Sequence, residues 1–141
     1  MKIIVDGFGG DNAPVAVLEG CAQAVAELGA EIILTGDQQR IEAAAKEHNI
    51  SMAGIQVVHA PDIMPVEVDP VKLRKEYKDS SMAVGFQLLA DGKGDAFVSA
   101  GSTGALVVGA SLIVKRIKGI RRCAIGSVIP NQNGFYMLLD S

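Results

Sequence analysis

The sequence has 141 residues, 49% hydrophobic and 21% charged, with only 4% aromatic residues, no tryptophan and a net charge of −3. That is one domain's length and an ordinary globular composition, which excludes a disordered, collagenous or disulfide-framed chain. No apolar run reaches the roughly 18–20 residues that span a bilayer.

Lys2-Ile3-Ile4-Val5-Asp6 reads as a first strand, already formed at the start with no leader pattern before it. Gly7 to Ala13 is a glycine-rich loop, and Pro14 suits the first turn of a helix. Leu18, Cys21, Ala22, Val25 and Leu28 then repeat at helical spacing, with Glu19, Gln23 and Glu27 opposite, until Gly29 ends the helix. Glu31–Thr35 predicts a second strand, Asp37 caps a second helix with Ile41, Ala44, Ala45 and His48 on one face, and Ile55–His59 predicts a third strand. This alternation argues for right-handed βαβ crossovers and a parallel sheet.

The rhythm breaks from Ala60 to Lys78, which holds Pro61, Pro65 and Pro70. A connection of that length predicts a lid or binding segment. A helix starts at Asp79-Ser80-Ser81 and ends at Gly92 or Gly94. Asp95–Val98 is a strand, Ser99-Ala100-Gly101 a small-residue turn, and Ser102-Thr103-Gly104 opens a helix running to about Ile117. That helix is apolar nearly all round, which places it inside the molecule. A strand lies within Ile120–Ile129, Asn131–Gly134 is a turn, and Phe135–Leu139 is a last strand whose sheet edge has no evident cover.

The chemistry concentrates in two glycine-bearing turns from strand to helix. Ser99–Gly104 combines small residues, hydroxyls and a helix start, the features that bind an anion through backbone N–H groups. In the first loop Gly7 and Gly9 fit G-x-G, but Asn12 stands where a dinucleotide fingerprint needs its third glycine. The candidate substrate-binding residues are Asp6, Gly9, Gly10 and Asp11 from the first loop, and Ser99, Gly101, Ser102, Thr103 and Gly104 from the second. Arg74, Lys75, Ser80 and Ser81 from the LRKEYKDSS stretch join them. No catalytic acid or base stands out, no residues show metal-ligand or triad spacing, and no cofactor is implied.

The charge is split along the chain. Residues 1–70 hold eleven acids and three bases, residues 71–141 five acids and ten bases. The basic half invites an anionic ligand or partner, but it is neither basic nor aromatic enough for nucleic acid. Lys115, Arg116, Lys118, Arg121 and Arg122 form a cluster suited to docking an acidic protein. Cys21 and Cys123 have no paired spacing and read as core thiols of a reducing cytoplasm.

Taken in order, VDGFGGDNAP (5–14), KDSSM (78–82), DAFVSAGSTGAL (95–106) and IKGIRR (117–122) resemble the bacterial phosphate acyltransferase family PlsX. Three positions depart from its commonest pattern: Phe8 for Met, Ser102 for Asn and Cys123 for Pro. The resemblance implies that residues 1–141 are a single α/β domain, the N-terminal portion of a longer enzyme. It implies a three-layer αβα fold with a largely parallel sheet, like isocitrate and isopropylmalate dehydrogenases and phosphotransacetylases, in truncated form. The implied reaction joins acyl-(acyl carrier protein) and inorganic phosphate into acyl phosphate for phospholipid synthesis. It also implies a homodimer, cytoplasmic, with peripheral contact to the inner face of the membrane. The rival readings are a phosphotransacetylase-like enzyme and a non-catalytic fragment that binds phosphate or self-associates.

Overall fold

In a computed structural model the described residues are 1–140, Asp140 by its backbone alone. β1 (Lys2–Asp6), β2 (Glu31–Gly36), β3 (Ile55–His59) and β4 (Ala96–Val98) form one sheet in the order β3-β2-β1-β4. All three pairings are parallel, with Ile3 opposite Ile32 and Ala96, and Ile33 opposite Gln56. Residue alternation divides the strands between two faces. Ile32 and Leu34, with Ile3 and Val5, pack against Leu18 and Cys21 of α1 (Val15–Leu28) and Ile41, Ala44 and Ala45 of α2 (Gln38–Glu47). Ile4, Asp6, Ile33 and Thr35 belong to the other face, which is covered by α3 (Ser81–Ala90). The Thr35 hydroxyl donates to the Ser81 carbonyl at 2.8 Å, tying α3 to the sheet.

The helix ends follow their local chemistry. Asp37 accepts from the Arg40 N–H at 2.9 Å and caps α2, while His59 Nδ1 accepts from the Gln38 N–H at 3.2 Å. Ser80 caps α3 by accepting from Ala83 N–H. α1 closes at Gly29, where the Gly29 and Ala30 N–H groups reach back to Val25 and Ala24.

Several expectations change. The segment 60–78 is not a free lid: the Ser81 N–H donates to the Asp62 carbonyl, and a 3₁₀ turn at Pro70–Arg74 drives Leu73 fully into the second core cluster beside Met82 and Phe86. The helix expected to run to Ile117 is shorter. α4 (Thr103–Gly109) widens into one π-helical turn, Ala110–Val114, and the chain leaves it at Lys115 with φ 74°. Ile113 and Val114, at the end of this turn, both pack against the second cluster. Nor is this helix interior: Ala105 and Gly109 are its buried residues, and Leu112 stays 43% exposed, because α3 and the 3₁₀ turn cover one side of it. Finally, β5 (Ile125–Asn131) and β6 (Gly134–Asp140) do not join the parallel sheet; they pair with each other as a separate antiparallel hairpin.

Candidate active site

The strand order places the site. From β1 the chain steps outward through α1 and α2 to β2 and β3, then crosses back over α3 to lay β4 on the other side of β1. The loops leaving β1 and β4 therefore diverge, one toward each face. Such a switch point opens a crevice beyond the carboxyl ends of the strands, where open α/β sheets bind their ligands.

The two loops are clasped across that crevice. Asp6, at the end of β1 and 2% exposed, accepts the Ser99 hydroxyl on Oδ2 at 2.7 Å and the Phe8 N–H on Oδ1 at 3.2 Å. Ser99 Oγ in turn accepts the Gly101 N–H at 3.0 Å. Gly9 lies inside this clasp: a Cβ there would come within 2.7 Å of both Asp6 Oδ2 and Ser99 Oγ and 2.9 Å of the Gly101 nitrogen. The loops close only because residue 9 has no side chain.

Beside the clasp is a cleft of about 180 Å³. Asp6, Phe8, Gly9, Gly10 and Asp11 form one wall and Gly101 and Ser102 another. Ser81 and Met82 of α3 and the segment Ile63–Val66 complete it. The lining carries two carboxylates and, among the described residues, no lysine or arginine. The guanidinium of Arg40 stacks 4.6 Å from the centroid of Phe8, one of the wall residues.

Of the candidate residues, the structure thus gathers Asp6, Gly9, Gly10, Asp11, Ser81, Gly101 and Ser102 around one cleft, with Ser99 in the clasp. Thr103 and Gly104 are exposed at the first turn of α4, where Ser102 Oγ accepts the Ala105 N–H at 3.4 Å. Ser80 is fully buried and its hydroxyl donates to Tyr77 O at 2.7 Å, so that group is committed to the start of α3. Arg74 faces a different cavity, with Lys78 and Lys115, and Lys75 is exposed outside the cleft lining. Arg40 and Phe8 were not among the candidates. The Arg40 signal, a cation in the first turn of a helix, gives no hint of a ring lying 32 residues earlier.

The cysteines have no part in this cleft. Burial pushes the Cys21 thiol up to about 11, so it stays protonated near neutrality. Cys123 accepts the Ser111 hydroxyl at 3.2 Å. No cluster of three metal-ligating side chains occurs among the described residues, and none of the helices is long and apolar enough to cross a membrane.

The family described as "Fatty acid synthesis protein" matches residues 1–141. The chain belongs to it. It is 45% identical to the phosphate acyltransferase of Acetivibrio thermocellus over all of this chain and 42% of that protein. It is also 45% identical to that of Clostridium kluyveri, and 42% identical to that of Clostridioides difficile, again over 42% of each. The chain therefore spans well under half the length of these curated relatives. Among solved structures, EutD phosphotransacetylase from Staphylococcus aureus superposes with a TM-score of 0.68 at 24% identity, over 97% of this chain and 44% of that one. A phosphotransacetylase from Streptococcus pyogenes gives the same TM-score at 20% identity, over 97% and 45%. These structures correct the expected fold class. The α/β character stands, but the fold is that of the phosphotransacetylases rather than of isocitrate and isopropylmalate dehydrogenases. A layered parallel sheet is common to many α/β families, so strand and helix patterns alone do not separate them.

Proposed function

We propose that this chain forms the phosphate-binding part of an acyltransferase that converts acyl-(acyl carrier protein) and inorganic phosphate to acyl phosphate and free carrier protein, for phospholipid synthesis. The observation that carries the reading is the glycine-walled cleft at the β1/β4 switch point, in a chain whose relatives are named phosphate acyltransferases.

Phosphate is a weak nucleophile toward a thioester until it is held in line with the carbonyl. In this reading a phosphate oxygen attacks the acyl carbon, the new C–O bond replaces the C–S bond, and the carrier leaves as a thiolate. Because a thiolate leaves readily, no covalent enzyme intermediate is needed. Backbone N–H groups at Gly10 and at Ser102–Gly104, with the Ser102 and Thr103 hydroxyls, orient the phosphate, while the Gly101 N–H stays with Ser99 in the clasp. The 180 Å³ of the cleft suits an ion of that size. The Asp6 carboxylate is engaged by two donors, the Phe8 N–H and the Ser99 hydroxyl, and so holds the loops together rather than reaching for the ligand. Arg40, held on the Phe8 wall, supplies positive charge on that side; Arg74 and Lys75, directed elsewhere, act outside the cleft. The carrier protein, a second subunit in a homodimer, and peripheral contact of a cytoplasmic enzyme with the membrane surface are the partners this reading carries.

Phosphate titration followed by amide NMR tests it. Phosphate at millimolar concentration is expected to shift Gly9–Asp11 and Gly101–Gly104, and Thr103→Val to weaken binding about three- to tenfold. No shifts in either loop, or an unchanged affinity in Thr103→Val with shifts elsewhere, overturns the assignment.

A further inference from the structure

On the far side of α3 from the cleft lies a groove of about 790 Å³ that the phosphate reading does not use. Its floor is apolar, formed by Leu73, Ala83, Val84, Leu88 and Ile113. Its rim carries Arg74, Lys78 and Lys115, all exposed, against the carboxylates of Asp79 and Asp91. The chain then continues from Lys115 into Arg116, Lys118, Arg121 and Arg122, every one exposed and with no acid between them. The groove rim and the segment that follows it carry seven cations between them, against Asp79 and Asp91 on the rim, in a chain whose first half is acidic.

We propose that this groove docks an acidic, amphipathic helix of the acyl-carrying protein, the apolar side of that helix on Leu88 and Leu112 and its carboxylates on the basic rim. The proposal rests on the acyltransferase reading and adds the surface where the second substrate is met. Charge complementarity selects the partner. The long basic edge attracts an acidic surface and speeds its encounter, while the apolar floor rewards burial once docked. The shape selects a helix over a bilayer, because a flat lipid surface does not enter a concave groove. Position fits as well. Met82 lines the cleft and Leu88 the groove, six residues apart on α3, or about 9 Å along its axis. A carrier seated there would present a flexible acyl-bearing arm within reach of the phosphate.

The test titrates acyl carrier protein into this chain, with amide NMR and calorimetry. Binding is expected to shift Val84, Gln87, Leu88 and Leu112. The combined variant Lys78→Glu, Lys115→Glu, Arg122→Glu should weaken it tenfold or more at low salt and flatten its salt dependence. Leu112→Gln should weaken it severalfold without altering that dependence, and Lys46→Glu, a reversal on exposed α2, should change little. Equal affinity for wild type and the triple variant overturns the docking surface and leaves the acyltransferase reading standing. If the wild type binds no carrier, the surface is again overturned. The phosphate titration then separates the two ideas, since shifts at Gly9 and Gly101 keep the reading and their absence removes it. Phosphatidylglycerol vesicles that shift the groove resonances as strongly as the carrier would overturn the proposal in favour of a lipid surface.

Discussion

Asp6 and Ser99 are 93 residues apart, yet their hydrogen bond decides whether the cleft exists. Asp6 is nearly buried, so its charge stays tolerable only while donors surround it. Removing the Ser99 hydroxyl leaves Oδ2 facing the empty space of one oxygen and frees the Gly101 N–H as well. Ser99→Ala should therefore cost about 1.5–3 kcal/mol of unfolding free energy, the range for a charge-assisted bond broken on one side. Urea denaturation measures it, and a loss under about 0.5 kcal/mol would mean the clasp is wet and unimportant. The sequence offered both residues as candidates but not as a pair. Strand patterns mark Asp6 and Ser99 as chain ends of β1 and β4, whereas their meeting depends on β4 lying beside β1 rather than beyond β3. That choice of neighbour is a property of the crossover through α3, not of either loop. Arg74 illustrates the converse. Its proximity to the hydroxyl-rich stretch at 80–81 in sequence suggested a shared site, but the 3₁₀ turn buries Leu73 and so turns Arg74 toward the opposite side of α3.

At the scale of elements, the four parallel strands and α1–α3 were legible because each has a clean apolar period, a cap or a glycine stop. Of α4 the start at Ser102–Thr103 was legible but not its end or its burial, since its composition is apolar all round and gives no phase. Its course is set by a contact instead. A Cβ at Gly109 would overlap the ring of Phe86, and that ring meets Phe97 of β4, tilted by 45°, at a centroid distance of 4.5 Å. The small residue thus lets α4 cross α3 closely, and the second core cluster is built around this crossing. Gly109→Ala would normally favour a helix by up to about 1 kcal/mol. Here the overlap should dominate, giving a net destabilisation of about 1–3 kcal/mol as Phe86 is forced aside. Thermal unfolding decides the sign. A raised Tm would mean that α4 slides on α3 without strain.

For the molecule as a whole, the hairpin is the part that local patterns describe well and the rest of the fold does not use. β5, β6 and the turn between them fall close to where the sequence puts them, with Asn131 Oδ1 accepting the Asn133 N–H at 2.8 Å in the turn. Yet Phe135 is 72% exposed, Val128 60%, Leu139 59% and Met137 58%, and both faces of the ribbon are apolar. An isolated two-stranded ribbon is marginal in water, and neighbouring exposed apolar side chains of this kind mark an interaction surface. Two copies of this chain laid face to face would cover one apolar face of each hairpin. Alternation puts Phe135, Met137 and Leu139 on one face and Tyr136 and Leu138 on the other. Sedimentation velocity should show the chain associating as its concentration rises through the micromolar range. The triple variant Phe135→Ser, Met137→Ser, Leu139→Ser should shift it toward monomer while leaving phosphate shifts at Gly9–Asp11 in place, because the clasp and cleft share no residue with the hairpin. Association that persists unchanged in that variant would place the contact elsewhere, with the opposite hairpin face of Tyr136 and Leu138 the next surface to alter.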